Sequence, residues 1–349
     1  MACFPLKKAL SWLVFALLLA FAAYKLHSSH FDWAGFAASW RTADFRLIAL
    51  ASIVVLTNYV FRAVRWTVFL RPAFRATGIQ PVSWWALIGS QLVGFTGLAI
   101  FGRIGELIRP LLVSRRTDLT FSSQIAVVAV ERLFDLGAFG LIFSLNLLLN
   151  PALQTLPYLH KAGYAIAALT LAIGVFVAGV RLAGATVAQV AGQAIGLLSK
   201  PAGATVSAKI LLFRDGLDVI DSFRDFLLAA ALSLLTWGVI SLSYWLTFLA
   251  FPAPVNHLTL GHTIVLMGFS IAGSALPIPG GSGGWFGTVF ALTNLLGIPA
   301  ALAAAAGLMV WLVTNLSVVP FGLIFAWVEG ISIKPSTLDP DQREDHAKL

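Results

Sequence analysis

The chain has 349 residues, of which 59% are hydrophobic and only 11% charged, with a formal net charge of +8 and a single cysteine. A soluble globular domain carries charge on about a quarter of its residues, so this composition excludes a water-soluble fold. One cysteine excludes internal disulfides and cysteine-rich metal sites.

Taken in chain order, the segments free of Asp, Glu, Lys and Arg run over 9–24, 47–61, 83–102, 162–180 and 226–252, and positions 226–328 hold no charged residue at all. About 20 apolar residues are needed to cross ~30 Å of hydrocarbon. A further apolar stretch, 121–150, is interrupted by Glu131, Arg132 and Asp135, and the long uncharged run is broken near Pro252, at Pro277 to Gly287 and at Pro299. Unpaired backbone groups are costly in lipid, so the spans should be helices. The expected fold is an all-α polytopic membrane protein with about seven to nine hydrophobic segments. It forms one transmembrane domain over 1–330, with an amphipathic connection at 181–225 and a short polar tail at 331–349.

The first segment, Lys7 and Lys8 followed by an apolar run to Tyr24, is read as an uncleaved span rather than a signal peptide, and Cys3 precedes it, which does not fit a lipoprotein anchor. Lys7 and Lys8, then Arg62, Arg65, Arg71 and Arg75 after the second span, belong on the cytoplasmic side, with the N-terminus. Arg103, Arg109, Arg115 and Arg116 follow 83–102 and would fall outside if that segment crossed once. Glycines 89, 94 and 97 allow it instead to dip in and return, and a second re-entrant or broken helix is expected near 277–297.

Three groups of residues carry the chemistry. In Gly102-Arg103-Ile104-Gly105-Glu106-Leu107-Ile108-Arg109, helical spacing lets Glu106 pair with Arg103 or Arg109, and the arginines suit phosphate oxygens. Glu131, Arg132 and Asp135 lie ~15 to 21 Å into their segment, near the middle of the hydrocarbon, so they must face protein or water. Arg132, with Arg103 and Arg109, is expected to neutralise a phosphate headgroup, with Glu106, Glu131 and Asp135 holding the arginines in place; if Arg132 instead only neutralises Asp135 or Glu131, the double change Arg132→Met with Asp135→Leu restores stability. In Pro277-Ile278-Pro279-Gly280-Gly281-Ser282-Gly283-Gly284, Pro279, Gly280, Gly281 and Gly283 break the helix and leave backbone N–H groups for an anion. Gly280-Gly281-Ser282-Gly283 also has the form of an intramembrane serine protease motif, but the only later histidine is His346 in the tail. No Walker A loop or zinc helix motif occurs, so no enzyme activity, cofactor or nucleic-acid partner is expected.

The Gly-Arg-x-Gly-Glu-x-x-Arg run at 102–109, Glu-Arg-x-x-Asp at 131–135, Pro-x-Pro-Gly-Gly-x-Gly at 277–283 and Arg-Ala-x-Arg-Trp at 62–66 together resemble the lysylphosphatidylglycerol synthase transmembrane, or flippase-like, family. The resemblance implies a bacterial or archaeal inner-membrane protein that moves a phospholipid, hopanoid or polyprenyl-linked lipid between leaflets among anionic membrane lipids. A homo-oligomer is compatible with the sequence, as is a non-transporting scaffold of a lipid or glycan synthesis complex. Two departures stand out. The family pattern places a glutamate three residues after the last motif glycine, where this chain has Phe286. Aminoacylating members also carry a soluble catalytic domain after the membrane part, and with the chain ending at Leu349 no lipid aminoacyl synthase is expected.

Overall fold

The computed structural model describes residues 31–330 apart from 79–81, 118, 154–156, 198, 217–219, 221 and 276–281. The first apolar segment, the tail after Gly330 and the core of the Pro-Gly motif therefore lie outside the described residues. Those described form helices and connecting turns, with no strand among them.

A short helix, α1 (Trp33–Arg41), leads into α2 (Phe45–Thr77). The Asp44 carboxylate caps α2 by accepting from the backbone of Arg46 at 2.8 Å, and Gly78, at φ 70°, ends it in the left-handed conformation. At 33 residues α2 is ~50 Å long, so it does not stop where its first arginines appear. The chain then enters α3 (Trp84–Phe101), turns through a 3₁₀ segment at Gly102–Leu107 and returns as α4 (Ile108–Thr117). The segment expected to dip and return within 83–102 is instead one unbroken helix, and the chain turns after it, at Gly102–Leu107; Gly94 and Gly97 pack against the returning leg rather than supplying the turn. The two legs run antiparallel because glycine lets them touch: a Cβ at Gly105 would stand 2.0 Å from the Gly97 carbonyl oxygen, and one at Gly94 would stand 2.5 Å from the Arg109 Cβ. Thr77, Trp84 and Thr117 thus lie at one end of the molecule, the arginine-bearing end.

From there α5 (Phe121–Leu149), capped by Thr120, crosses to the opposite end. The next helix, α6 (Pro157–Gly196), returns; its 40 residues make it ~60 Å long, twice the hydrocarbon thickness, and its backbone kinks at Ala183. Beyond the kink it forms a hairpin with α7 (Lys200–Gly216), packed closely at Gly192 and Gly203. Then α8 (Phe223–Leu249) crosses again.

The uncharged run builds a second hairpin, entered from the opposite end. Its legs are α9 (Leu260–Ser274) and α10 (Gly283–Asn294), and Gly273, Gly283 and Gly287 bring their backbones together. The last crossing is α11 (Ala300–Trp311), a π turn at Leu312–Leu316 and α12 (Val319–Val328). Gly322 of α12 fits against Thr96 of α3. Arg116 joins three pieces at the arginine-bearing end, donating to the Ala86 carbonyl and pairing with Glu329.

Two large apolar cores form among the described residues, beside two smaller clusters around Val93 and around Leu147. One, around Ala51, Val55, Phe248, Leu266, Met267, Leu292 and Met309, surrounds the α9–α10 hairpin; the other, around Tyr59, Trp66, Phe69, Leu87, Val113 and Val130, holds the α3–α4 hairpin. Leu141, Leu145, Leu169, Val175, Leu235, Ile324 and Trp327 are exposed on the outside. In water such a surface would aggregate. With helices α2, α3, α6, α8 and α11–α12 all long and apolar enough to span, it is the face of a multi-pass membrane protein.

Candidate functional site

Within the second core lies a cluster of five buried ionic side chains from three helices. Arg62 and Arg65 stand one turn apart on α2, and Glu131 and Asp135 share a face of α5 at i,i+4. Each arginine bridges both carboxylates. The Arg65 guanidinium lies 2.6 Å from Glu131 Oε1 and 2.7 Å from Asp135 Oδ1, and that of Arg62 lies 3.0 Å and 3.1 Å from the same two side chains. Arg65 also donates to Ser233 Oγ of α8 at 2.5 Å, and Arg62 Nε donates to Asn58 Oδ1 at 3.1 Å. The fifth member comes from the returning leg of the first hairpin: Arg109 Nη2 lies 2.6 Å from Glu131 Oε2, while Nη1 donates to Gln91 Oε1 at 3.0 Å. Its guanidinium sits over the Trp66 ring at 4.4 Å, a face that favours cations. Gly94 makes this approach available, since any side chain there would collide with Arg109.

All five side chains are at most 5% exposed. Three guanidiniums face two carboxylates, so the cluster carries one positive charge in excess. Two buried donors, Arg65 Nε and Gln91 Nε2, have no acceptor among the described residues. A second ion pair closes the outer side of the group: Arg132, half exposed, binds Glu106 in the 3₁₀ turn and stands 3.9 Å from Asp135.

The structure thus brings Glu106, Arg109, Glu131, Arg132 and Asp135 into one site, with pairings that differ from those expected. Glu106 pairs with Arg132 of α5 rather than with Arg109 on its own segment, whose guanidinium is taken by Glu131 and Gln91. Asp135 is held by Arg62 and Arg65, not by Arg132, whose 3.9 Å separation is beyond hydrogen-bonding range. Arg62 and Arg65 themselves are buried in the interior and do not belong to the terminal cluster of Arg71 and Arg75. The side chain of Arg103 and all of Pro279, Gly280 and Gly281 lie outside the described residues. Gly283 opens α10, where it packs against the Gly273 carbonyl in the other hairpin.

A model of the family described as the lysylphosphatidylglycerol synthase TM region matches residues 8–322. Among curated proteins, the glycosyltransferase AglD of Haloferax volcanii is 29% identical over 125 residues, which are 36% of this chain and 19% of that protein. The match thus spans about a fifth of that relative's length. No solved structure matches the chain significantly.

Proposed function

Because this chain belongs to the family of the lysylphosphatidylglycerol synthase TM region, we propose that it moves an amphiphile with an anionic headgroup between the leaflets of a bacterial or archaeal cytoplasmic membrane. The observation that carries this reading is the buried cluster with its excess positive charge. A charge near the bilayer centre costs roughly 2.5 to 3.5 kcal/mol on insertion scales, and five together are retained where they serve a polar path. A planar guanidinium fork suits the oxygens of a phosphate. The unpaired donors of Arg65 and Gln91 point the same way, since an anion or water in the cluster would satisfy them.

The arginine-bearing end, with Arg71, Arg75, Arg115 and Arg116, is the cytoplasmic side by the positive-inside rule, and the net charge of +8 suits anionic lipids there. The name of the curated relative, a glycosyltransferase, favours a cargo or setting related to lipid-linked glycans over one restricted to phospholipids. On this reading the chain performs no catalysis of its own. The test is reconstitution of the protein alone into liposomes with fluorescent phosphatidylglycerol and a polyprenyl-phosphate analogue. Movement of either between leaflets, lost in Arg109→Gln, is expected, and a folded protein that moves neither is a scaffold.

A further inference from the structure

The three buried arginines are each committed to at least two acceptors, so a ligand arriving from lipid or water meets none of them first. Among the described residues of the site, the cation it meets is Arg132, whose side chain is 47% exposed. Both oxygens of Asp135 are already taken by Arg62 and Arg65, which leaves Glu106 as the counter-ion of Arg132. Glu106 is itself partly exposed and stands in the turn at the tip of the first hairpin, directly before the leg that carries Arg109.

We propose that the Glu106 carboxylate is a resident stand-in for a phosphate, and that a phosphate ester replaces it on Arg132 when cargo binds. The cargo named here rests on the lipid-transport reading; the exchange itself does not. Three physical points support it. A guanidinium offers the same pair of donors to a carboxylate and to a phosphate, so no rearrangement of Arg132 is needed. A phosphodiester carries one negative charge, as the carboxylate does, so the exchange leaves the charge of the cluster unchanged. Water screens a half-exposed ion pair and holds it weakly, whereas parting any of the buried pairs strands a charge. The outer pair is therefore the one that exchanges and the inner five are the frame behind it. Gly105, pressed on the Gly97 backbone, pins the turn beside Glu106. The exchange is then a swing of one side chain.

The experiment is native mass spectrometry of the detergent-solubilised full chain titrated with phosphatidylglycerol, with diacylglycerol as the lipid that lacks the phosphate. Glu106→Gln and Glu106→Ala free Arg132 of its competitor, so both variants should retain phosphatidylglycerol at about three- to fivefold lower lipid concentration than the wild type. Arg132→Gln should need more, and Arg132→Lys should fall between, having the charge without the fork; diacylglycerol retention should not change. Inorganic phosphate at millimolar concentration separates the sources. If it displaces the lipid as well as added phosphatidylglycerol does, the free ion is the ligand; if it leaves the lipid bound, the headgroup is. Retention in the Glu106 variants equal to or weaker than wild type overturns the proposal, as does an Arg132→Gln variant that binds like wild type. Loss of folding on removing Glu106 overturns it too, because the carboxylate would then be a structural tie. A protein that shows these binding shifts and moves no lipid in liposomes refutes the transport reading and keeps the exchange.

Discussion

Removing Asp135 deprives two guanidiniums at once, those of Arg62 and Arg65, and removing Glu131 deprives three, since it also binds Arg109. Breaking a buried pair costs about 3 to 5 kcal/mol, and a half-exposed pair is worth ~1 kcal/mol or less. Thermal unfolding in detergent, followed by tryptophan fluorescence, should therefore rank Asp135→Asn and Arg65→Gln as severely destabilised and Arg132→Gln as near wild type. The reverse order would contradict the pairing described here. For the same reason the double change Arg132→Met with Asp135→Leu should not recover stability, because it leaves Arg62 and Arg65 short of Asp135. Sequence made half of this site legible. Glu131 and Asp135 stand out as charges on one face of an apolar segment, and a partner for them was certain to exist. Arg62 and Arg65 entered only as cytoplasmic charges and within the Arg-Ala-x-Arg-Trp run of the family resemblance, not as partners of these carboxylates, because they follow an uncharged window closely enough to look like its cytoplasmic flank. Their partners come from 66 to 73 residues further along, a distance over which no local pattern reports.

Glycine decides where elements meet. A methyl at Gly105 would strike a backbone oxygen of Gly97, which cannot move aside, whereas one at Gly137 of α5 meets nothing within 4 Å. Gly105→Ala should sharply reduce the yield of folded protein and Gly137→Ala should be neutral or stabilising by up to ~1 kcal/mol, as measured by size-exclusion recovery and melting temperature. The returning first hairpin was readable from the conflict between its two arginine clusters and a single crossing. Its counterpart at α9 and α10 was readable from proline and glycine inside an uncharged run. The length of α6 was not, since its exposed apolar residues continue past any membrane-sized window. The first hairpin can be checked by labelling with an impermeant maleimide after Cys3→Ser. Ala76→Cys and Arg115→Cys should react from one side of the membrane only, and His257→Cys from the other. Labelling of the first two from different sides would turn α3 into a full crossing.

At the scale of the molecule, α2, α5, α6, α8 and the α11–α12 pair run from end to end and two hairpins, α3–α4 and α9–α10, enter from opposite ends, with the ionic cluster against the first of them. If transport uses that cluster, Arg109→Gln should abolish lipid movement in liposomes while retaining the fold better than Arg65→Gln, because Arg109 serves one carboxylate and Arg65 serves two. The assembly of this arrangement has an order imposed by the chain itself. Arg65 leaves the ribosome 66 residues before Glu131. At roughly 5 to 20 residues per second of synthesis, α2 waits about 3 to 13 s for the helix that neutralises it. During that interval its two inner arginines have no counter-ion in lipid, so α2 settles fully only once α5 has been made.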